Sequence, residues 1–177
     1  MRVIAGSRGG APLRAPRGRV TRPTPERVRE ALFSILADVR EARVLDLFAG
    51  SGALGIEALS RGAAQATLVD SSFAAVDTIK RNLETLSLSA QVRRQSAFAF
   101  LGQARTRSYQ YDLVFLDPPY RHASILAGEL SSALVPVLAP GARVVAESDR
   151  RAPLELDLPL LSERGYGDTL VRIHGSR

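Results

Sequence analysis

The sequence predicts an α/β fold built on a doubly wound, mostly parallel sheet with an antiparallel edge. Three observations carry that expectation. From Arg43 onward, short apolar runs alternate with helix-length segments, the pattern of parallel strands joined by helical crossovers. The run Leu113–Leu116 is continuously apolar, as expected of a strand covered on both faces. The last two strand-like runs, Leu160–Arg164 and Thr169–His174, are separated by Gly165–Gly167. That leaves no room for a crossover helix, so they pair as a hairpin-like edge.

Taken in order, the chain opens with Arg2–Ala5 and a stretch around Leu13–Ala15 on either side of Gly6-Ser7-Arg8-Gly9-Gly10. This reads as a small β-hairpin. Residues 16–23 are irregular. Thr24-Pro25 then opens a helix, with threonine as N-cap and proline at the first helical position. Val28, Ala31, Leu32, Ile35 and Leu36 supply its apolar stripe. The first strand is Arg43–Phe48, followed by a glycine loop and a helix to about Arg61. Ala66–Val69 is the second strand and Phe73–Leu86 a helix. Gln91–Arg94 is the third strand, with a helix from Ala97 to about Ala104. Tyr111–Leu116 is the fourth strand, Ser124–Leu138 a helix, and Arg143–Glu147 the fifth strand.

Length and composition bound the function. The chain has 177 residues, of which 45% are hydrophobic, enough for one globular domain with its own core. The division expected is an N-terminal appendage over 1–40 and a main domain over 41–177. With no cysteine and only His122 and His174, disulfides and thiolate metal sites are excluded and no metal is expected. No run suggests a signal peptide or a membrane span, so a cytoplasmic monomer with no membrane partner is expected. Charge is uneven: residues 1–43 hold ten arginines and four acids, whereas the remainder balances 14 basic against 14 acidic groups. A solubilising tail would give the same count. The helical pattern inside this segment favours a phosphate-binding surface instead. Arg8, Arg14, Arg17, Arg19, Arg22 and Arg29 are the candidate contacts to a nucleic acid.

Two motifs carry chemistry. In Asp46-Leu47-Phe48-Ala49-Gly50-Ser51-Gly52-Ala53-Leu54-Gly55 a strand runs through a glycine-rich turn into a helix. The glycines let backbone approach a ligand closely. The same spacing serves dinucleotides, but a carboxylate at Asp46 repels a pyrophosphate and suits a cationic ligand such as a methionyl ammonium. Asp70, ending the second strand, stands where doubly wound folds bind ribose hydroxyls, with Ser71 beside it. Ser96-Ala97 at the third strand end are candidates to line an adenine, and Ser96 is equally suited to cap the next helix. The second motif, Asp117-Pro118-Pro119-Tyr120, follows the fourth strand directly. Its prolines stiffen the backbone and remove amide donors. An exocyclic base amine becomes cationic as it attacks a methyl group, and the Asp117 carboxylate and Pro118 carbonyl can accept its protons. Tyr120 offers a face on which a flipped base stacks. Glu147 reads as a structural strand end.

These motifs resemble the class I, Rossmann-like methyltransferases that use S-adenosylmethionine, and Asp117–Tyr120 is similar to their amino-methylating (D/N)PP(Y/F) group. Arg2-Val3-Ile4-Ala5-Gly6, Arg22-Pro23-Thr24, Arg27–Phe33, Glu147-Ser148 and Tyr166–Thr169 narrow the resemblance to the bacterial D-type small-subunit ribosomal RNA methyltransferases. That family implies methylation of guanine N2 in 16S rRNA, with ribosomal RNA or the assembled small subunit as partner. The resemblance assigns Asp46, Phe48, Gly50, Gly52, Asp70, Ser71, Ser96 and Ala97 to the cofactor. Ser71-Ser72 after Asp70 and the lack of an acid at Ser96 depart from the family pattern. Two other readings share parts of these features: an NAD(P)-dependent oxidoreductase built on Gly50–Gly55, and a non-catalytic RNA-binding assembly factor.

Overall fold

The computed structural model describes residues 1–16, 25–36, 38–118 and 123–176, with side chains from Ala127 onward in the last segment. Among the described residues, five helices, α1 (Glu26–Leu36), α2 (Ala53–Ser60), α3 (Phe73–Thr85), α4 (Ala97–Thr106) and α5 (Ala123–Leu134), surround a seven-stranded sheet. Its strands are β1 (Arg43–Leu47), β2 (Gln65–Asp70), β3 (Gln91–Arg94), β4 (Tyr111–Leu116), β5 (Leu138–Asp149), β6 (Leu160–Tyr166) and β7 (Thr169–Gly175). They lie in the order β3-β2-β1-β4-β5-β7-β6. The first five are parallel neighbours, and β7 pairs antiparallel with both β5 and β6. The expected mixed α/β sheet is therefore present, with β7 inserted inside its hairpin partner rather than at the rim.

The fifth strand starts earlier than its apolar run suggests. Pro136 disfavours helix at Val135, so α5 stops at Leu134 and a single 3-10 turn over Val135–Val137 leads into β5. Pairing then skips from Tyr111↔Leu138 to Leu113↔Arg143, a bulge that absorbs the Pro140-Gly141 kink.

Strand alternation separates two cores. On one face Val44, Leu68, Phe115, Val145 and Ile173 pack with α1, α2, α3 and the N-terminal residues Val3 and Leu13. On the other, Leu45, Leu47, Val69, Val114 and Leu116 pack with α4 and α5. α1 lies beside α2 and runs the same way: Arg29 neighbours Glu57, and one turn on, Arg61 lies 4.8 Å over the Phe33 ring. The Arg143 guanidinium donates to the carbonyl of Leu36 at the C-terminus of α1. α1 thus opens, at Pro25, on the edge where the parallel strands end.

Two details of α1 differ from its expected stripe. Its buried face is Val28, Arg29, Leu32, Phe33 and Leu36, while Ile35 is exposed. The helix is rotated because Phe33 packs on Phe115, ring centroids 5.8 Å apart, and that turns Arg29 inward. The expected hairpin is a minimal one. Val3 N–H donates to the Ala11 carbonyl, Gly10 N–H to Val3 and Leu13 N–H to Met1, around a 3-10 turn at Gly6–Arg8. Gly6, at φ 83°, sits so close to α2 that a Cβ would lie 1.8 Å from the Ser60 carbonyl oxygen, which excludes any side chain.

Candidate active site

The acids singled out in the sequence stand in a row along the C-terminal edge of the sheet. Asp46 pairs in register with Leu68 on one side and Phe115 on the other. Asp70 ends β2. Asp117 follows Leu116, whose partner is Ala146, so Asp117, one residue past β4, stands beside Glu147, which lies within β5. Because side chains alternate along a strand, all four carboxylates project from the face that also carries Phe115 and Val145. Asp46, Asp70 and Glu147 are buried and Asp117 is half-buried. Burial is the main cause that pushes Asp46 up to about 7, with Asp70 adding repulsion against a hydrogen bond from Gly55 that opposes it. Burial, then Glu147, then Asp46, push Asp117 well above the ordinary carboxylate range. A sheet edge that gathers four carboxylates, two of them pushed toward their neutral forms, suits a cationic ligand, which would draw them back to the charged state.

The glycine loop wraps Asp46. Its Oδ2 accepts the Gly55 N–H at 2.9 Å, which places the carboxylate inside the first turn of α2, near the positive end of that helix. Gly52 caps α2 at φ 77°, where a Cβ would meet the Leu68 side chain at 2.8 Å. Phe48 also has positive φ, 62°, which costs a non-glycine residue about 1–3 kcal/mol. Glu41, Ser87 and Ser108 adopt the same conformation elsewhere, so what distinguishes Phe48 is its place at the head of the glycine loop. Asp70 closes the loop from the next strand, its Oδ2 accepting from Gly50 N–H at 2.9 Å and its Oδ1 from Ser72 N–H at 2.8 Å. A carboxylate has about four acceptor sites, so this clamp leaves room for hydroxyl donors. These residues fit S-adenosylmethionine: a buried anion at Asp46 for its cationic end, a glycine cradle, and an acid at Asp70 for ribose.

At the β3 end, Ser96 caps α4 by accepting from Ala99 N–H at 3.2 Å, and Ala97 is buried against the α4–α5 face. Ser71 is exposed just beyond Asp70. Capping therefore accounts for Ser96 without a ligand. Pro119, Tyr120, Arg17, Arg19 and Arg22 lie outside the described residues. Pro118 is buried directly after Asp117.

Two of the six arginines assigned to a nucleic acid serve the fold instead. Arg29 is fully buried, donates to the Arg2 carbonyl at 2.6 Å and lies 4.0 Å from Glu57. It is on the inner face of α1 and cannot reach a phosphate. Arg8 donates from Nε to the Leu86 carbonyl at 2.5 Å, capping the C-terminus of α3 at the end of the molecule opposite the acids. Arg14 is exposed. Glu57, which the sequence did not single out, receives Ile4 N–H at 2.7 Å, Ala5 N–H at 3.1 Å and Arg61 Nε at 2.7 Å. Its signal was a glutamate in the otherwise apolar helix Ala53–Ser60. Glu147 was read as a strand end, and its alignment with Asp117 emerges only from the β4–β5 register.

The family model described as "Conserved hypothetical protein 95" matches residues 1–174. YlbH of Bacillus subtilis, named as a candidate rRNA methyltransferase, is 42% identical over the full length of both chains. Ribosomal RNA small subunit methyltransferase D of Haemophilus influenzae is 36% identical, covering 98% of this chain and 93% of its own. Among solved structures, a hypothetical protein of Thermus thermophilus superposes with a TM-score of 0.86 at 32% identity, over 98% of each chain. The T. thermophilus 16S rRNA N2 methyltransferase RsmC, in complex with AdoMet and guanosine, superposes at 0.71 with 25% identity, covering 91% of this chain and 44% of that one.

Proposed function

This chain belongs to the ribosomal RNA small subunit methyltransferase D family, and from that membership we propose that it methylates the exocyclic N2 amine of a guanine in small-subunit rRNA. It is an rRNA methyltransferase that uses S-adenosylmethionine. The finer assignment, to guanine, rests chiefly on one observation: Asp117, just past β4, stands beside Glu147 of β5. Guanine presents an N2 amine next to a ring N1–H, two donors in a row. Adenine and cytosine place a ring lone pair beside their exocyclic amines. Two adjacent carboxylates accept from the guanine edge and repel the other two bases. The guanosine bound by RsmC supports the same reading.

S-adenosylmethionine supplies an electrophilic methyl on a sulfonium. The chain supplies the rest. Asp46, the Gly50–Gly52 backbone and Asp70 hold the cofactor, with Phe48, Ser71 and Ala97 around it. A cation held at this edge draws Asp117 back toward its charged form. Asp117 and the Pro118 carbonyl then accept the amine protons while positive charge develops on nitrogen, an interaction that strengthens toward the transition state. To Pro119 and Tyr120 we assign the base-stacking role that their place in the motif implies. Arg14, Arg17, Arg19 and Arg22 hold the RNA backbone, and the enzyme acts as a metal-free cytoplasmic monomer on rRNA or the small subunit.

The test is nucleoside mass spectrometry on small-subunit RNA from cells lacking the protein, incubated with purified protein and S-adenosylmethionine. N2-methylguanosine is the expected product; a different methylnucleoside, or none, overturns the assignment. Asp117→Ala should lower kcat by about 10²–10³ and leave cofactor affinity within a few-fold. Near-normal turnover of that variant removes Asp117 from the chemistry.

A further inference from the structure

Among the described residues Phe73 is the most exposed large hydrophobic side chain, 70% open to solvent. It is the first residue of α3, whose buried face begins at Ala75, so the core does not use its ring. A single exposed phenylalanine is ordinary on a protein surface. Three observations set this one apart. Arg94 reaches over it, with Cζ 5.9 Å from the ring centroid, near the outer limit of a cation–π contact. Arg94 ends β3 in register with Asp70, so the pair stands on the same sheet edge as the row of acids. Residues 85–111 hold four arginines and no acid. All four, Arg93, Arg94, Arg105 and Arg107, are exposed, and none is in an ion pair among the described residues. The balanced charge of the main domain therefore conceals a positive surface along β3 and α4.

We propose that Phe73 and Arg94 form a contact for small-subunit rRNA outside the methylation site, in which an unpaired base stacks on the ring while Arg94 and Arg93 meet the adjoining phosphates. The proposal takes its ligand from the functional reading above. Aromatic faces beside guanidinium groups hold single-stranded nucleic acid with little regard to sequence, and an open ring suits a base already out of its helix. Arg105, in the last turn of α4, offsets the negative end of that helix; Arg94 has no such duty. β3 lies three strand spacings from β4, about 14 Å, which sets the ring apart from Asp117, on the far side of Asp70. The rival occupant is the cofactor's adenine. Adenine is uncharged, whereas two neighbouring cations without acidic partners call for an anion.

The experiment measures the affinity of the full-length protein for small ribosomal subunits from cells lacking it, and for S-adenosylhomocysteine, in the same preparations. Phe73→Leu keeps an apolar side chain and removes the aromatic face. It should weaken subunit binding at least about fivefold without altering its salt dependence. Arg94→Gln should weaken binding and reduce the slope of log affinity against log salt by about 1. Both should leave S-adenosylhomocysteine affinity unchanged. Replacing Arg105 and Arg107 together by Gln removes more charge from the same acid-free stretch and should cost less affinity than Arg94→Gln. An equal or larger cost assigns the effect to diffuse charge and overturns the proposal. Unchanged subunit affinity in Phe73→Leu overturns it as well, and so does a loss confined to S-adenosylhomocysteine, which gives the ring to adenine. A photoreactive phenylalanine analogue at position 73 identifies the partner on the subunit. Cross-links should fall on 16S rRNA; cross-links to ribosomal protein alone refute the contact. Wild-type turnover on the same subunits, followed in parallel, tests the functional reading separately.

Discussion

Asp46 and Glu57 are both buried carboxylates, one under the first turn of α2 and the other on that helix, and they are treated in opposite ways. Glu57 receives two backbone N–H groups from the N-terminal segment and the guanidinium of Arg61, with Arg29 beside it. Its charge is matched by the protein. Asp46 receives Gly55 N–H, and its charged neighbour is another acid, Asp70. The contrast separates two uses of a buried charge. Matched from within, it is a joint that locks Ile4 and Ala5 to α2. Set among other acids, it is left, on the function proposed above, for a cationic ligand to complete.

The largest test of that contrast is Glu57→Gln. It leaves Arg29 buried without its anionic partner and should destabilise the protein by about 3–5 kcal/mol, read by urea unfolding. If Asp46→Asn costs as much stability as Glu57→Gln, the distinction fails.

Asp46 makes the second test, through pH. Its folded pKa of about 7 lies above the ordinary value of 3.8. Between those values the folded state keeps a proton that the unfolded state releases, so this acid's contribution to stability is intact below about pH 4 and is lost as pH rises to about 7. The full loss is on the order of 4 kcal/mol. Melting of the ligand-free protein should fall across that window, and Asp46→Asn, which keeps an oxygen for Gly55, should flatten the fall. An unchanged slope in the variant assigns the effect to another group.

The smallest test concerns Arg14, whose backbone is clamped by Asn82 while its side chain is exposed. Arg14→Ala should reduce the slope of log affinity for rRNA against log salt by less than about 1 and leave cofactor affinity untouched. A change in cofactor affinity would place the Arg14 side chain at the cofactor site and not on the RNA surface.

The fold was legible because strand alternation and apolar runs are properties of consecutive residues, and Asp46, Asp70 and Asp117 were legible because each sits at a fixed offset from such a run. What stayed hidden depends on pairing across the chain. Arg29 reads as surface charge, since arginine is rarely buried without a partner, and its partner Glu57 is 28 residues away in sequence. Glu147 meets Asp117 only through the register of β4 with β5. Asn82 was the most recoverable omission: a polar side chain on the apolar stripe of α3 asks where its hydrogen bonds go. Ser96 shows the limit from the other side: the sequence suited it both to line an adenine and to cap the next helix, and the structure shows the cap.

The N-terminal segment is fastened by contacts that reach far along the chain: 53 residues from Ile4 to Glu57, 68 from Arg14 to Asn82 and 78 from Arg8 to Leu86. Closing loops of that length is entropically unfavourable before the partner helices exist. Contacts of this span are therefore expected to form after the central strands have paired. Substitutions that loosen the segment should then accelerate unfolding while leaving the folding rate nearly unchanged, the behaviour of positions absent from the nucleus, and the folding and unfolding rates of Glu57→Gln check this.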